Sequence, residues 1–233
     1  MKSVLITGTS KGLGYALAEE FLANNWMVFA LARDISKISK LIDSNKKTCI
    51  PIQADITDKN CSDLIHNVLK SKSNKLDLLI NNAGNADLYF NLDDVTPENL
   101  ESHFKVHVSG TFRVIKVCLS FLRESQEAVI LNISSRKGSI NKINSGAYRI
   151  LLPYQIAKAA QNMLSVGLNQ LLQDTSIKVY AIHPGNLKTD VAPIDADTEP
   201  SEASKVLFKW ITSNNKISNA HFYDLMNDSV LEW

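Results

Sequence analysis

Short apolar runs alternate along this chain with helix-length amphipathic stretches, and that alternation restricts the fold more than any other feature. The runs lie at 4–6, 27–31, 49–53, 76–80, 128–133 and 179–182. Continuous apolar runs of strand length describe strands buried on both faces, which implies a parallel sheet covered by helices. Between them, residues 14–24 read as a helix, with Leu17, Phe21 and Leu22 joining Leu13 on one face. Thr96-Pro97-Glu98 reads as a helix start, with Thr as the cap and Pro in the first position, and that helix can run to residue 122. A second long amphipathic helix is expected over 154–173. No Pro/Gly/Ser-rich linker, repeat or low-complexity tract interrupts the pattern. The expectation is one domain over 1–233: a Rossmann-type, doubly wound α/β fold of about seven parallel strands, with helices on both faces.

Composition narrows the function classes. With 25 Lys and Arg against 24 Asp and Glu, the net charge of +1 gives no reason to invoke nucleic acid or an anionic membrane. The longest apolar run, 26–32, falls well short of the ~20 residues of a transmembrane helix. Residues 1–12 end in a glycine loop and do not read as a signal peptide. Three cysteines, Cys49, Cys61 and Cys118, make no paired framework, so a reduced, cytoplasmic setting is expected. Cys61 and His66 lack further ligands at zinc spacing, so no metal is expected.

In a doubly wound sheet the ligand lies beyond the carboxyl ends of the strands, so the residues just after each strand carry the functional signal. After the first run comes Thr7-Gly8-Thr9-Ser10-Lys11-Gly12-Leu13-Gly14, which holds three of the nine glycines in the chain. Glycine there admits a phosphate close to the backbone, and the following helix start offers N–H donors and a dipole. The spacing Gly8-xxx-Gly12-x-Gly14 differs from GxGxxG. The later strand ends carry Ala32-Arg33-Asp34, Ala54-Asp55-Ile56, Asn81-Asn82-Ala83-Gly84, Ser134-Ser135 and His183-Pro184-Gly185-Asn186. Gly8-Thr9-Ser10-Lys11-Gly12 also matches GxSxG, which opens a serine-hydrolase alternative with Ser10 as nucleophile; only seven residues precede Gly8, too few for an upstream oxyanion loop. Tyr154 and Lys158, four apart on a helix, share a face. An ammonium beside a phenol favours phenolate, so Lys158 is expected to lower the Tyr154 pKa towards neutrality and make it a usable acid or base.

Together, Thr7-Gly8-xxx-Gly12-Leu13-Gly14, Asn81-Asn82-Ala83-Gly84, Ser135, Tyr154-xxx-Lys158 and Pro184-Gly185 resemble the short-chain dehydrogenase/reductases, in order and over essentially the whole chain. The gap from Ser135 to Tyr154 and the ending His221-Phe222-Tyr223 … Trp233 are similar to the C-factor and Sniffer branch, related to carbonyl reductases. The resemblance implies a nicotinamide cofactor. Gly8, Ser10, Lys11, Gly12, Leu13 and Gly14 would lie on its adenosine and pyrophosphate side. Asp55 and Ile56 would lie at adenine, and Asn82, Ala83 and Gly84 along its border. Pro184, Gly185 and Thr189 would flank the nicotinamide, and Tyr154 and Lys158 would sit at its ribose. Ser135 would hold the substrate carbonyl, Tyr154 would give the proton, and Ser134 would be structural. The resemblance also implies a homodimer or homotetramer built on the helices at 96–122 and 154–173, although the related carbonyl reductases include monomers.

Cofactor choice is expected to depend on charge. NAD sites present an acid after the second strand, where this chain has Ala32 and then Arg33, with Lys11 nearby; two cations and no acid favour NADP. Asp34 is expected to cap the next helix; turned inward it would oppose a phosphate. One departure stands out: the family pattern F-x-V-N-V-x-G-T-F appears here as Phe104-Lys105-Val106-His107-Val108-Ser109-Gly110-Thr111-Phe112. His107 replaces the Asn of a helix kink and proton relay; an imidazole can serve there by donating or accepting a hydrogen bond, or titrate near neutral pH and make the relay pH-sensitive. That replacement motivates a third alternative, a weakly catalytic NADPH-binding regulator. His66, His103, His183 and His221 are expected to be ordinary surface or packing residues. Substrate-facing segments are expected at 85–95, 136–152 and 186–200; their Leu88, Tyr89, Phe90, Tyr148, Leu151 and Leu187 either line a mainly apolar pocket for a small aldehyde, ketone or alcohol or pack the core. The polar run 138–146 is expected to be a loop.

Overall fold

The computed structural model describes residues 1–86, 91–145, 151–189, 196–213 and 222–233. Eight strands form one sheet: β1 (Ser3–Thr7), β2 (Met27–Ala32), β3 (Cys49–Gln53), β4 (Leu78–Asn81), β5 (Val129–Ile133), β6 (Lys178–His183), β7 (Phe222–Asp224) and β8 (Ser229–Leu231). Their order is β3-β2-β1-β4-β5-β6-β7-β8. All pairs are parallel except β7–β8, a short antiparallel hairpin that the apolar runs did not signal. The order reverses between β1 and β4, which opens a crevice at their carboxyl ends.

Side chains alternate across the pleat, so each central strand feeds two cores. Val4 and Ile6, Val28 and Ala30, Leu78 and Ile80, and Val129 and Leu131 enter one core. Leu5, Phe29, Leu79 and Ile130 enter the other. Because both faces are covered, the strand sequences are apolar without interruption. Burial of a Phe29 or Leu5 side chain stabilises the fold by about 1.5–3 kcal/mol.

The helices are α1 (Gly12–Ala23), α2 (Ser39–Ser44), α3 (Cys61–Lys72), α4 (Pro97–Phe104), α5 (Thr111–Arg123), α6 (Ile140–Asn144), α7 (Leu152–Leu171) and α8 (Pro200–Thr212). The expected cap of α4 is present as a reciprocal pair: Asn99 N donates to Thr96 Oγ1 at 3.4 Å and Thr96 N to Asn99 Oδ1 at 2.8 Å, with Pro97 next. The expected single helix at 96–122 is divided by a π turn over Lys105–Gly110, and His107 lies inside it. Such widened turns often accompany functional sites. At Gly110 a Cβ would lie 2.9 Å from Ile56 Cγ1, so only glycine allows this close approach.

The run 138–146, expected as a loop, contains α6. Ser139 caps it by accepting from Lys142 N at 3.2 Å, and Asn141 is tied to the last two residues: its N–H donates to Trp233 O at 3.3 Å and its amide to Glu232. A polar sequence read as solvent-seeking here supplies caps and cross-links. Cys49, Cys61 and Cys118 are buried free thiols. Among the described residues, no helix is long and apolar enough to cross a membrane.

Candidate active site

The carboxyl ends of β1 and β4 are tied together. Thr7 Oγ1 accepts from the backbone N–H groups of Asn82 and Ala83, each at 3.0 Å, and the Asn82 amide donates to Thr7 O at 3.0 Å and Gly8 O at 3.2 Å. The glycine loop is packed against this join. A Cβ on Gly8 (φ +75°) would lie 2.8 Å from Ala83 Cα, and one on Gly14 would lie 2.1 Å from Gly8 O. At these two positions glycine is required by internal packing. Gly12 (φ +58°) is different: among the described residues only Thr189 Cγ2, at 3.7 Å, lies near the place its Cβ would take. Among the described residues the backbone there is loosely packed, at the start of α1, which has no side-chain cap and no acidic residue in its first turn. An uncapped helix N-terminus behind a loosely packed glycine suits a phosphate. Thr189 stands across from Gly12.

The ends of β2 and β3 border a cavity of about 300 Å³ lined by Arg33, Gln53, Ala54, Asp55, Asp58, Asn60, Cys61 and Leu64. Arg33 is exposed. Asp34 turns away as expected, accepting from Ser36 N at 3.0 Å and Ser36 Oγ at 2.6 Å. Asp55 accepts from Thr57 N and Oγ1, each at 2.8 Å. Burial raises the Asp55 carboxyl, but the Thr57 hydrogen bonds and the charges of Arg33 and Lys105 hold it below its ordinary value.

At the end of β5, Ser134 and Ser135 part company. Ser134 Oγ donates to Asn162 Oδ1 at 2.5 Å and is structural, whereas the Ser135 side chain accepts from Lys137 N at 3.2 Å and is hydrogen-bonded to the Tyr154 hydroxyl. Gly138 brings this turn onto α7: a Cβ there would lie 2.8 Å from the Lys158 carbonyl carbon. Lys158 is 5% exposed, donates to Ile133 O at 2.7 Å and Gln161 Oε1 at 3.0 Å, and lies 5.7 Å from the centroid of the Tyr154 ring. Ser135, Tyr154 and Lys158 therefore converge, as their spacing and strand-end position implied.

The expected depression of the Tyr154 pKa is not found. Burial raises the phenol above its ordinary value, and the Ser135 hydrogen bond offsets part of that rise. Burial also pushes Lys158 down to about 7, so part of its charge is lost at neutral pH. Proximity alone suggested a phenolate; desolvation of both partners acts in the opposite direction.

Of the two roles open to His107, the structure shows the hydrogen bond. Its Nε2 lies 2.8 Å from Asn85 O, an acceptor, so Nε2 carries the proton. Burial, then the neighbouring Lys158, hold its pKa well below the ordinary value, so it stays neutral and the titrating alternative falls away. Gly84 makes room for it: a Cβ there would lie 2.6 Å from His107 Cε1. His103, expected to be ordinary, is buried against the site. Its ring stacks on His107 (5.9 Å, 9°) and meets Tyr154 edge-on (6.2 Å, 78°). The signal was the spacing: His103, His107 and Thr111 are four apart, facing Tyr154, Lys158 and Gln161. His183 is a buried packing residue, and His66 packs edge-on against Phe121.

Gly185 (φ +104°) follows Pro184 in a turn where a Cβ would lie 2.7 Å from Met226 Cγ, so β-carbon-free backbone is required there too. Of the expected substrate-facing residues, Leu151 is buried beside α7 and Leu187 packs on the first core. Leu88, Tyr89, Phe90, Tyr148 and His221 lie outside the described residues.

A family model described as short chain dehydrogenase matches residues 2–199. The chain belongs to the short-chain dehydrogenase family. The oxidoreductase BOA17 of Botryotinia fuckeliana is 31% identical over 207 residues, covering 85% of this chain and 72% of that protein. The NADPH-bound carbonyl reductase from chicken fatty liver is similar over 100% of this chain and 99% of its own, with 26% identity and a TM-score of 0.89. The carbonyl reductase Sniffer of D. melanogaster shares the fold at a TM-score of 0.90, with 24% identity over the whole of both chains. The fold of this short-chain dehydrogenase is thus similar to that of two carbonyl reductases, Sniffer among them. Membership of an oxidoreductase family removes the serine-hydrolase reading of Ser10.

Proposed function

We propose that this short-chain dehydrogenase is an NADP(H)-dependent enzyme interconverting a carbonyl and an alcohol on a small, largely apolar substrate. The observation that carries the reading is the convergence of the Ser135 hydroxyl, the Tyr154 phenol and the Lys158 ammonium at the carboxyl end of the sheet, beside the crevice. When bound, the nicotinamide supplies the hydride that the carbonyl carbon receives. Ser135 holds the carbonyl oxygen by hydrogen bond. Tyr154 gives that oxygen its phenolic proton as the C=O double bond becomes a C–O single bond, and Lys158 faces the resulting phenolate. A phenol pKa above its ordinary value suits the reductive direction, because the donor is protonated at the start.

The preference for NADP is supported by the exposed Arg33, by Lys11 at the helix start and by the Asp34 carboxylate, which is occupied by Ser36. The chicken enzyme, solved with NADPH, points the same way. Assembly as a homo-oligomer is supported by Phe104, Phe112, Ile156 and Met163, large apolar side chains exposed on α4, α5 and α7. Residues 1–233 are read as one catalytic domain. The test is NADPH oxidation followed by absorbance against a panel of aldehydes and ketones. Carbonyl-dependent oxidation that disappears in Tyr154→Phe is the expected result; cofactor binding without turnover on any carbonyl would instead support the regulator.

A further inference from the structure

A buried ammonium needs acceptors, and Lys158 has two: the Ile133 carbonyl, 2.7 Å away, and Gln161 Oε1, 3.0 Å away. Gln161 is itself 1% exposed, on the inner face of α7. Its other end is fixed as well, since Nε2 donates to Thr111 Oγ1 of α5 at 3.5 Å, the outer limit of such a bond. Lysine offers only donors, whereas a threonine hydroxyl can accept. The two contacts therefore agree on one orientation of the amide, with oxygen towards Lys158. The backbone of Gln161 is held too: Ser165 Oγ donates to Gln161 O at 2.9 Å, accepts from Asn132 of β5 at 2.9 Å, and Asn132 accepts from Asn81 of β4 at 2.8 Å. A fully buried glutamine on the core-facing side of a helix is costly unless its amide is used.

We propose that Gln161 is a positioning residue for Lys158: its side-chain oxygen, aimed by Thr111, fixes the ammonium on the wall of the crevice and favours its charged form there. The inference rests on the reading of Tyr154 and Lys158 given above. The ionisable groups facing Lys158 among the described residues are Tyr154 on its own helix and His107 on the π turn, with His103 stacked behind His107. His107 is neutral and bonded to Asn85 O, so it supplies no compensating anion. Gln161 and the Ile133 carbonyl thus oppose the burial that pushes Lys158 down to about 7.

The direct measurement is the Lys158 titration, followed by Cε NMR in lysine-labelled, cofactor-free protein and assigned by its loss in Lys158→Arg. The midpoint is expected to fall by about one pH unit in Gln161→Met and to rise by a similar amount in Gln161→Glu. The glutamate variant keeps the side chain's size and stands if the methionine variant fails to fold. With 4-nitrobenzaldehyde as the probe carbonyl, the alkaline fall in kcat is expected to move in the same two directions, while KM for the aldehyde stays unchanged. Midpoints that coincide with the parent protein in both variants would overturn the proposal. Turnover retained in Tyr154→Phe would instead overturn the catalytic reading, and the NMR midpoints would still decide whether Gln161 governs the Lys158 charge.

Discussion

The two ends of the crevice solve the placement of charge in opposite ways. At the end of β5, Lys158 is almost completely buried and depends on named acceptors. At the end of β2, Arg33 stands exposed, and at the start of α1 Lys11 does likewise. Burial makes the first region sensitive to single atoms and to pH, because desolvation is the largest influence on both Tyr154 and Lys158. Exposure makes the second region tolerant of geometry and sensitive to salt, since charges in water are screened over about 10 Å at 0.1 M ionic strength. On the proposed function, the dry site carries the proton transfer and the wet one the cofactor choice.

The sharpest break between the two ends is expected from Tyr154→Phe. Removing the phenolic proton should lower kcat by about 10²–10⁴-fold, while NADPH affinity, measured by tryptophan quenching, changes by no more than about twofold. A parallel loss of affinity would show that the ends are not separable. Gly84→Ala comes next. Its methyl would enter the space of the His107 ring, 2.6 Å from Cε1. Overpacking of this kind should cost about 1–3 kcal/mol in denaturant unfolding. Wild-type stability in that variant would mean that the imidazole has room to move.

At the wet end, Arg33→Ala should weaken NADPH by about tenfold at low ionic strength, with a smaller effect on NADH and a difference that shrinks as salt is added. Equal losses for both cofactors would remove Arg33 from phosphate recognition. The smallest effect concerns pH and stability. The folded-state pKa of Lys158, about 7, lies below its ordinary 10.5. Between those values the unfolded chain binds a proton that the folded chain does not, so stability rises with pH across that window. The buried thiols oppose this at higher pH, since burial raises Cys49 to about 11 and also raises Cys61 and Cys118 from an ordinary 9.0. From pH 7 to 8 the Lys158 contribution should add up to about 1 kcal/mol, and Lys158→Met should flatten that slope in urea titrations. An unchanged slope would argue that Lys158 is charged throughout.

The sheet was legible because strands covered on both faces leave uninterrupted apolar runs. β7 and β8 were not, since three-residue strands at the edge carry no such run. Ser135, Tyr154 and Lys158 were legible through the family resemblance: helical spacing put Tyr154 and Lys158 on one face, but only the resemblance distinguished Ser135 from Ser134. What spacing could not give was the balance between charge proximity and desolvation, which set the Tyr154 pKa direction opposite to the expected one. His103 and Gln161 were missed for a related reason: each lies on a helix face whose partner is another helix, and one strand of sequence does not show what faces it. The division of the glycines at 8, 12 and 14 between packing and ligand space likewise depends on Ala83 and Thr189, which are far away in sequence.

On the proposed function, the interlock of Gly8, Gly14 and Asn82 has a consequence for how a dinucleotide is received. Because the loop's curvature is held by atoms of the chain itself, its donors are already aimed before any guest arrives. Little ordering entropy then opposes association, and affinity at that end reflects the quality of the contacts made on arrival.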